Sequence, residues 1–91
     1  MIAEYVRLRI NTPSGDVQEI DAPLDLRVSD FIEELKPAMR LATADPEGRP
    51  IVWRLDNKDT GRTLEHEMTL EQNGVQPNHR LILLRATTAG A

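Results

Sequence analysis

Apolar residues in this chain recur with two different periods. In "YVRLRI", Val6, Leu8 and Ile10 alternate with Tyr5, Arg7 and Arg9, the period-two pattern of a strand with one buried face. "NTPSGD" supplies turn chemistry in Pro13, Ser14, Gly15 and Asp16, and "VQEIDA" then predicts the return strand of a hairpin. Val17 and Ile20 fall on opposite faces of that strand, which predicts a bulge or a short element. The period lengthens in "LRVSDFIEELKPAMRLA", where Val28, Phe31, Ile32, Leu35 and Met39 recur at helical spacing. Asp30, Glu33 and Glu34 gather near the start, where the helix dipole favours negative charge. Pro37 predicts a kink or an end of the regular helix near Lys36, because its ring removes a hydrogen bond and crowds the carbonyl four residues back.

Two prolines and a glycine make "TADPEGRP" a loop. "IVWRLDN" reads as a strand, with Ile51, Trp53 and Leu55 on one face and Val52 and Arg54 on the other; "NKDTG" reads as a turn. "TLEHEMTLEQNGVQPNH" holds too few apolar positions for a long helix. It predicts short strand and turn pieces, with a tight turn at Asn73-Gly74 and Val75 returning to the core. "RLILLRA" is the closing strand. The order of elements implies an α+β domain, one main helix covering one face of a mixed sheet. The first and last strands are the most apolar, so they are expected to pair in parallel away from the edges. The predicted core is Val6, Leu8, Ile10, Val28, Phe31, Ile32, Leu35, Leu55, Leu70, Val75, Leu81 and Leu83.

"LILL" is apolar on both faces, although only one face can meet the helix. Ile82 and Leu84 are therefore expected to point outward beside Val52, rimmed by Arg54 and Arg85, as a protein-interaction patch.

Composition narrows the function. The chain has 91 residues, a size that buries roughly 60–65% of its unfolded surface in one core. It has no cysteine, which excludes disulfides, thiolate nucleophiles and cysteine-ligated metals. No apolar stretch approaches the ~20 residues of a membrane span, and the N-terminus lacks the pattern of a signal peptide. A net charge of −4 and scattered arginines disfavour a nucleic-acid partner. A soluble, cytoplasmic domain without membrane insertion is expected. His66 and His79 sit in polar context and are expected to be exposed, with no metal site between them. Asp21, Asp25, Glu33, Glu34, Glu65 and Glu67 read as a solvated acidic surface. No carboxylate pair comes with a positioned histidine or a glycine-rich pocket, so neither an enzyme nor a cofactor is expected.

The strand order, together with "VWRLDNKD" and "TLEQNGVQPNHRLILL", resembles the β-grasp fold of the ubiquitin-like superfamily, and within it the bacterial YukD-like (EsaB-like) branch. Setting Thr69-Leu70 and Val75 on ubiquitin's corresponding residues puts Leu81 and Leu83 on buried positions of the last strand. Gly90 then falls on the terminal glycine and Ala91 is one residue extra. Ala89 stands where such modifiers usually carry the first glycine of a pair.

The resemblance implies a domain over residues 1–85 and a flexible tail over 86–91. Leu83 is about the last residue the core can hold, so the chain is expected to leave the sheet from Arg85 onward. It also implies a bacterial modifier. A processing peptidase would remove Ala91, an activating enzyme would adenylate the Gly90 carboxylate with ATP, and a conjugating enzyme would carry the thioester to a target, for an isopeptide or ester linkage. A deconjugating peptidase would reverse the step. Lys36 and Lys58, the only lysines, are the candidate chain-linkage sites. The alternative is a YukD/EsaB-like accessory protein of type VII secretion that binds partners and is never conjugated. A sulfur carrier with the same activated glycine is a third reading.

Overall fold

The alternating segment Tyr5–Asn11 is strand β1 in the computed structural model, which describes residues 5–12 and 14–86. Val6, Leu8 and Ile10 are buried and Tyr5, Arg7 and Arg9 exposed, so the period-two reading holds residue by residue. The chain reverses through a loop closed by the Thr12 N–H donating to the Asp16 carbonyl at 2.8 Å. Gly15 has φ +94° there, a conformation that a Cβ would penalise. Strand β2, Val17–Pro23, then pairs antiparallel with β1 in unbroken register, from Asn11↔Val17 to Tyr5↔Pro23. The expected bulge is absent. Ile20 and Ala22 set the inward parity, and the mismatch is resolved by leaving Val17 on the outer face, 56% exposed.

Helix α1, Val28–Ala38, turns Val28, Phe31, Ile32 and Leu35 inward. Its N-terminus has no side-chain cap. Two of its free N–H groups are taken up by distant backbone instead: Val28 donates to the Met68 carbonyl and Ser29 to that of His66, both at 3.0 Å. The helix runs on through Pro37, two residues beyond the expected end. Pro37 lies in the last turn, where the carbonyl it leaves unpaired belongs to exposed Glu33 and can bond water. The end is a Schellman arrangement. Leu41 N–H donates to the Lys36 carbonyl at 2.9 Å and Arg40 N–H to that of Pro37 at 3.4 Å. Arg40 takes the left-handed position, φ +53°, which glycine usually fills.

The remaining strands are β3, Trp53–Asn57, β4, Arg62–Thr63, and β5, Arg80–Arg85. The expected strand start at Ile51 moves to Trp53, because the Ile51 N–H is drawn to the Thr43 carbonyl of the preceding loop, 3.0 Å away. Strand order in the five-stranded sheet is β2-β1-β5-β3-β4. β1 and β5 pair in parallel at the centre, Ile10 opposite Leu81, and β3 runs antiparallel to β5.

Every residue of the predicted core is buried, and Ala22, Trp53 and Leu64 join them. Trp53 sits there because its indole N–H donates to the Ala42 carbonyl at 2.9 Å, which satisfies the only polar atom of the ring. The segment between β4 and β5 contains turns, with Leu64, Leu70 and Val75 pinned into the core. Among the described residues no helix is long and apolar enough to cross a membrane.

Candidate interaction surface and the polar network behind it

The sheet has one face under α1 and one face that no element among the described residues covers. Pairing of Arg54 with Leu84 and Asp56 with Ile82 sets those four side chains on the uncovered face. Val52 lies next to them, its carbonyl accepting from the Ala86 N–H at 2.8 Å. Ala86, assigned by the sequence to the tail, is thus still hydrogen-bonded to the sheet. Arg85, expected to have left it, is paired with Trp53.

Val52 is 49% exposed, while Ile82, Leu84 and Arg54 are half-buried. Arg54 reaches Asp56 through Nη2 at 3.4 Å, and its buried Nε has no partner among the described residues. The polar rim differs from expectation on one side. Arg85 shares the parity of Leu81 and Leu83 and stacks over the Trp53 ring, 5.8 Å from its centroid. It therefore belongs to the helix side of the sheet, and Asp56 takes its place beside the apolar residues.

A second group of side chains holds the end of β3 against the end of β5. Asn57 is 1% exposed, the one buried polar residue among those described. Its Oδ1 accepts from the Asp59 N–H at 2.8 Å and from the Thr60 N–H at 3.3 Å. Its Nδ2 therefore faces His79 Nδ1, 3.0 Å away, and the Gln76 N–H donates to the same nitrogen at 3.2 Å. With two donors aimed at it, Nδ1 is the acceptor and the ring proton sits on Nε2. Asp59 accepts from the Arg80 N–H at 2.6 Å and pairs with its guanidinium at 3.7 Å. The Arg80 backbone bond, more than its charge, holds the Asp59 carboxyl below the usual carboxylate range, against a smaller opposing effect of desolvation.

This network explains why "NKD" at the end of an apolar strand ties the turn to the closing strand. Sequence reasoning missed Asn57 and placed His79 in solvent. A buried parity position occupied by asparagine, directly before a turn, was the available signal.

His66 is also half-buried rather than exposed, on the segment that caps α1. His66 is held there by the Ser29 N–H, which donates to its carbonyl, and His79 by its bonds to Asn57 and the Gln76 N–H. Among the described residues no group of histidine and carboxylate side chains could hold a metal ion. The acidic residues Asp21, Asp25, Glu33, Glu34, Glu65 and Glu67 are all exposed. Lys36 is half-buried in the last turn of α1 and paired with Glu33, and Lys58 is exposed on the turn after β3. Gly90 and Ala91 lie outside the described residues.

Residues 5–83 match the family described as the YukD protein of the WXG100 protein secretion system. No curated protein sequence matches the chain. Among solved structures, a designed protein based on ubiquitin aligns with a TM-score of 0.72 at 23% identity, over 96% of this chain and 95% of its own. The N-terminal ubiquitin-like domain of the 4931431F19Rik protein gives 0.71 at 16%, over 99% and 83%. Ubiquitin of Caldiarchaeum subterraneum gives 0.67 at 20%, over 96% and 100%. These identities establish a shared fold, and the family match covers nearly the whole folded domain. The chain is a member of the YukD family, built on the ubiquitin-like β-grasp fold.

Proposed function

We propose that the protein acts by binding, as a non-conjugated accessory component of a WXG100-type secretion apparatus. The observation that carries this is the family match over residues 5–83, whose description names that apparatus. It spans most of the folded domain and does not extend to Gly90. The uncovered sheet face offers the surface, with Val52, Ile82 and Leu84 as apolar anchors and Arg54 and Asp56 as a charged rim. This assigns the role of partner to another protein of the apparatus, and makes the activating enzyme, conjugating enzyme and peptidase of the modifier reading unnecessary.

The test is secretion of WXG100 substrates by cells carrying altered copies of the gene. Ile82→Ser with Leu84→Ser should abolish secretion while the purified variant still melts cooperatively. Deletion of residues 87–91 should leave secretion at the wild-type level. Loss of function on that deletion, with adducts of higher mass disappearing at the same time, would instead establish Gly90 as a conjugation terminus.

A further inference from the structure

Asn73 is the one asparagine of the chain that a glycine follows. Such a pair is chemically labile, because the glycine nitrogen, unshielded by a Cβ, can attack the side-chain amide before it. Geometry fixes the glycine: Gly74 holds φ +76°, where a side chain would be strained. In the folded protein both reacting groups are engaged. Asn73 Oδ1 accepts from the Glu65 N–H at 2.7 Å, and Nδ2 donates to the carbonyls of Glu65 and Thr69 at 3.1 and 2.9 Å. One donor and two acceptors face the group, which settles its orientation. The Gly74 N–H, whose proton must leave before the nitrogen can attack, donates to the Glu71 carbonyl at 3.0 Å.

These bonds close a segment on which the helix depends. Val28 and Ser29, at the start of α1, donate their N–H groups to the Met68 and His66 carbonyls, and Leu70 and Glu71 donate theirs to the Leu26 and Leu24 carbonyls, all at 3.0 Å. Leu64, Leu70 and Val75 anchor the segment in the core. The side-chain bonds of Asn73 tie the same turns together, so its amide comes free when residues 64–75 open locally.

We propose that Asn73 is a modification site gated by this segment. Closed, the site is inert; open, it deamidates, and the product keeps the segment from closing again. The deprotonated Gly74 nitrogen forms a bond to Asn73 Cγ, and the Cγ–Nδ2 bond breaks with the nitrogen leaving as ammonia. Water then opens the resulting succinimide at either carbonyl, giving aspartate or isoaspartate. Water is the only co-reactant. An aspartate keeps an acceptor for the Glu65 N–H, but its second oxygen replaces Nδ2 and faces two carbonyls with no proton to share. Isoaspartate also lengthens the main chain by one carbon directly before the Gly74 turn. Either product costs α1 the distant carbonyls that satisfy its N-terminus, so one opening event leaves a permanent mark on the molecule. The inference does not rest on the secretion role.

The experiment holds the full chain at mildly alkaline pH, in buffer and in urea above its unfolding midpoint. The peptide containing Asn73 is followed by mass spectrometry, and isoaspartate by enzymatic methylation. In urea the peptide should gain the mass difference between water and ammonia. In buffer the same change should be slower by about tenfold or more, because only opened molecules react. Protein aged in urea and returned to buffer should contain a modified fraction whose Val28 and Ser29 amide protons exchange with solvent about tenfold or more faster than those of unmodified molecules. Asn73→Asp should reproduce that fast exchange while the amides of β1 and β5 stay protected. The proposal is overturned by equal rates of modification in buffer and urea, by another asparagine reacting ahead of Asn73, or by unchanged exchange at Val28 and Ser29 in the modified protein.

Discussion

Asn57 offers the sharpest test of how this domain is held together. Replacing it by alanine removes two bonds of good length, Oδ1 to the Asp59 N–H at 2.8 Å and Nδ2 to His79 Nδ1 at 3.0 Å, and a longer one to Thr60 at 3.3 Å. Each good bond contributes about 0.5–1.5 kcal/mol net. The freed amides lie in an exposed turn and can bond water, and His79 keeps the Gln76 N–H, so the full penalty for stranded polar groups does not apply. With the small void left at a site 1% exposed, Asn57→Ala should cost about 2–3 kcal/mol. For a domain of this size that is a fall in Tm of roughly 10–20 °C. Asn57→Asp is nearly isosteric and keeps the Oδ1 acceptor, but puts a second acceptor against the His79 lone pair. It should be at least as damaging at neutral pH. Urea unfolding of the three proteins measures both effects. A loss under about 0.5 kcal/mol for alanine, or a neutral aspartate variant, would refute both the His79 tautomer and the bonding pattern around Asn57.

Phe31→Ala, at a site 2% exposed between α1 and the sheet, should cost about 3–5 kcal/mol; a variant melting at the wild-type temperature would contradict the packing of the helix. Arg40→Gly should stabilise the domain by about 0.5–1 kcal/mol in the same unfolding assay, because Arg40 holds φ +53° at the position glycine favours. The Asp59 carboxyl titrates below its ordinary range in the folded protein, so its contribution is present above the unfolded carboxylate pKa of about 3.9 and disappears as pH falls through the lower folded value. Asp59→Asn should therefore flatten the acid limb of a stability–pH curve below about pH 4 and leave the shape above pH 6 unchanged; an unaltered acid limb would remove Asp59 from the network.

The sequence by itself determined the elements whose side chains report their own environment. Alternation in Tyr5–Asn11 and helical spacing in Val28–Ala38 each record a single buried face, and burial of apolar surface is the dominant favourable term in folding. The apolar first and last strands likewise implied their central parallel pairing, because neither could remain at an edge. What alternation could not report was backbone satisfaction at a distance. The N-terminus of α1 carries no capping side chain, since carbonyls of His66 and Met68 do that work from a segment that looks like loose polar turn. His79 and Asn57 are polar residue types that solvent would suit equally well, and their mutual bond, with the bonds from the Asp59, Thr60 and Gln76 amides, draws Asn57 into the core and His79 partly out of solvent. Arg85 lies on the helix side because strand alternation gives it the parity of Leu81 and Leu83, and what the alternation could not report is that it there stacks over the Trp53 ring. The exposed parts of the sheet divide in the same way. Ile82 and Leu84 were legible as apolar residues with the wrong parity for the core. The position of β2 at an edge followed from the hairpin and that central pairing, but which of its amides remain free depends on the register of β1 against its two neighbours. Local patterns fix what a residue prefers to bury; the tertiary structure decides which polar groups are left without a partner.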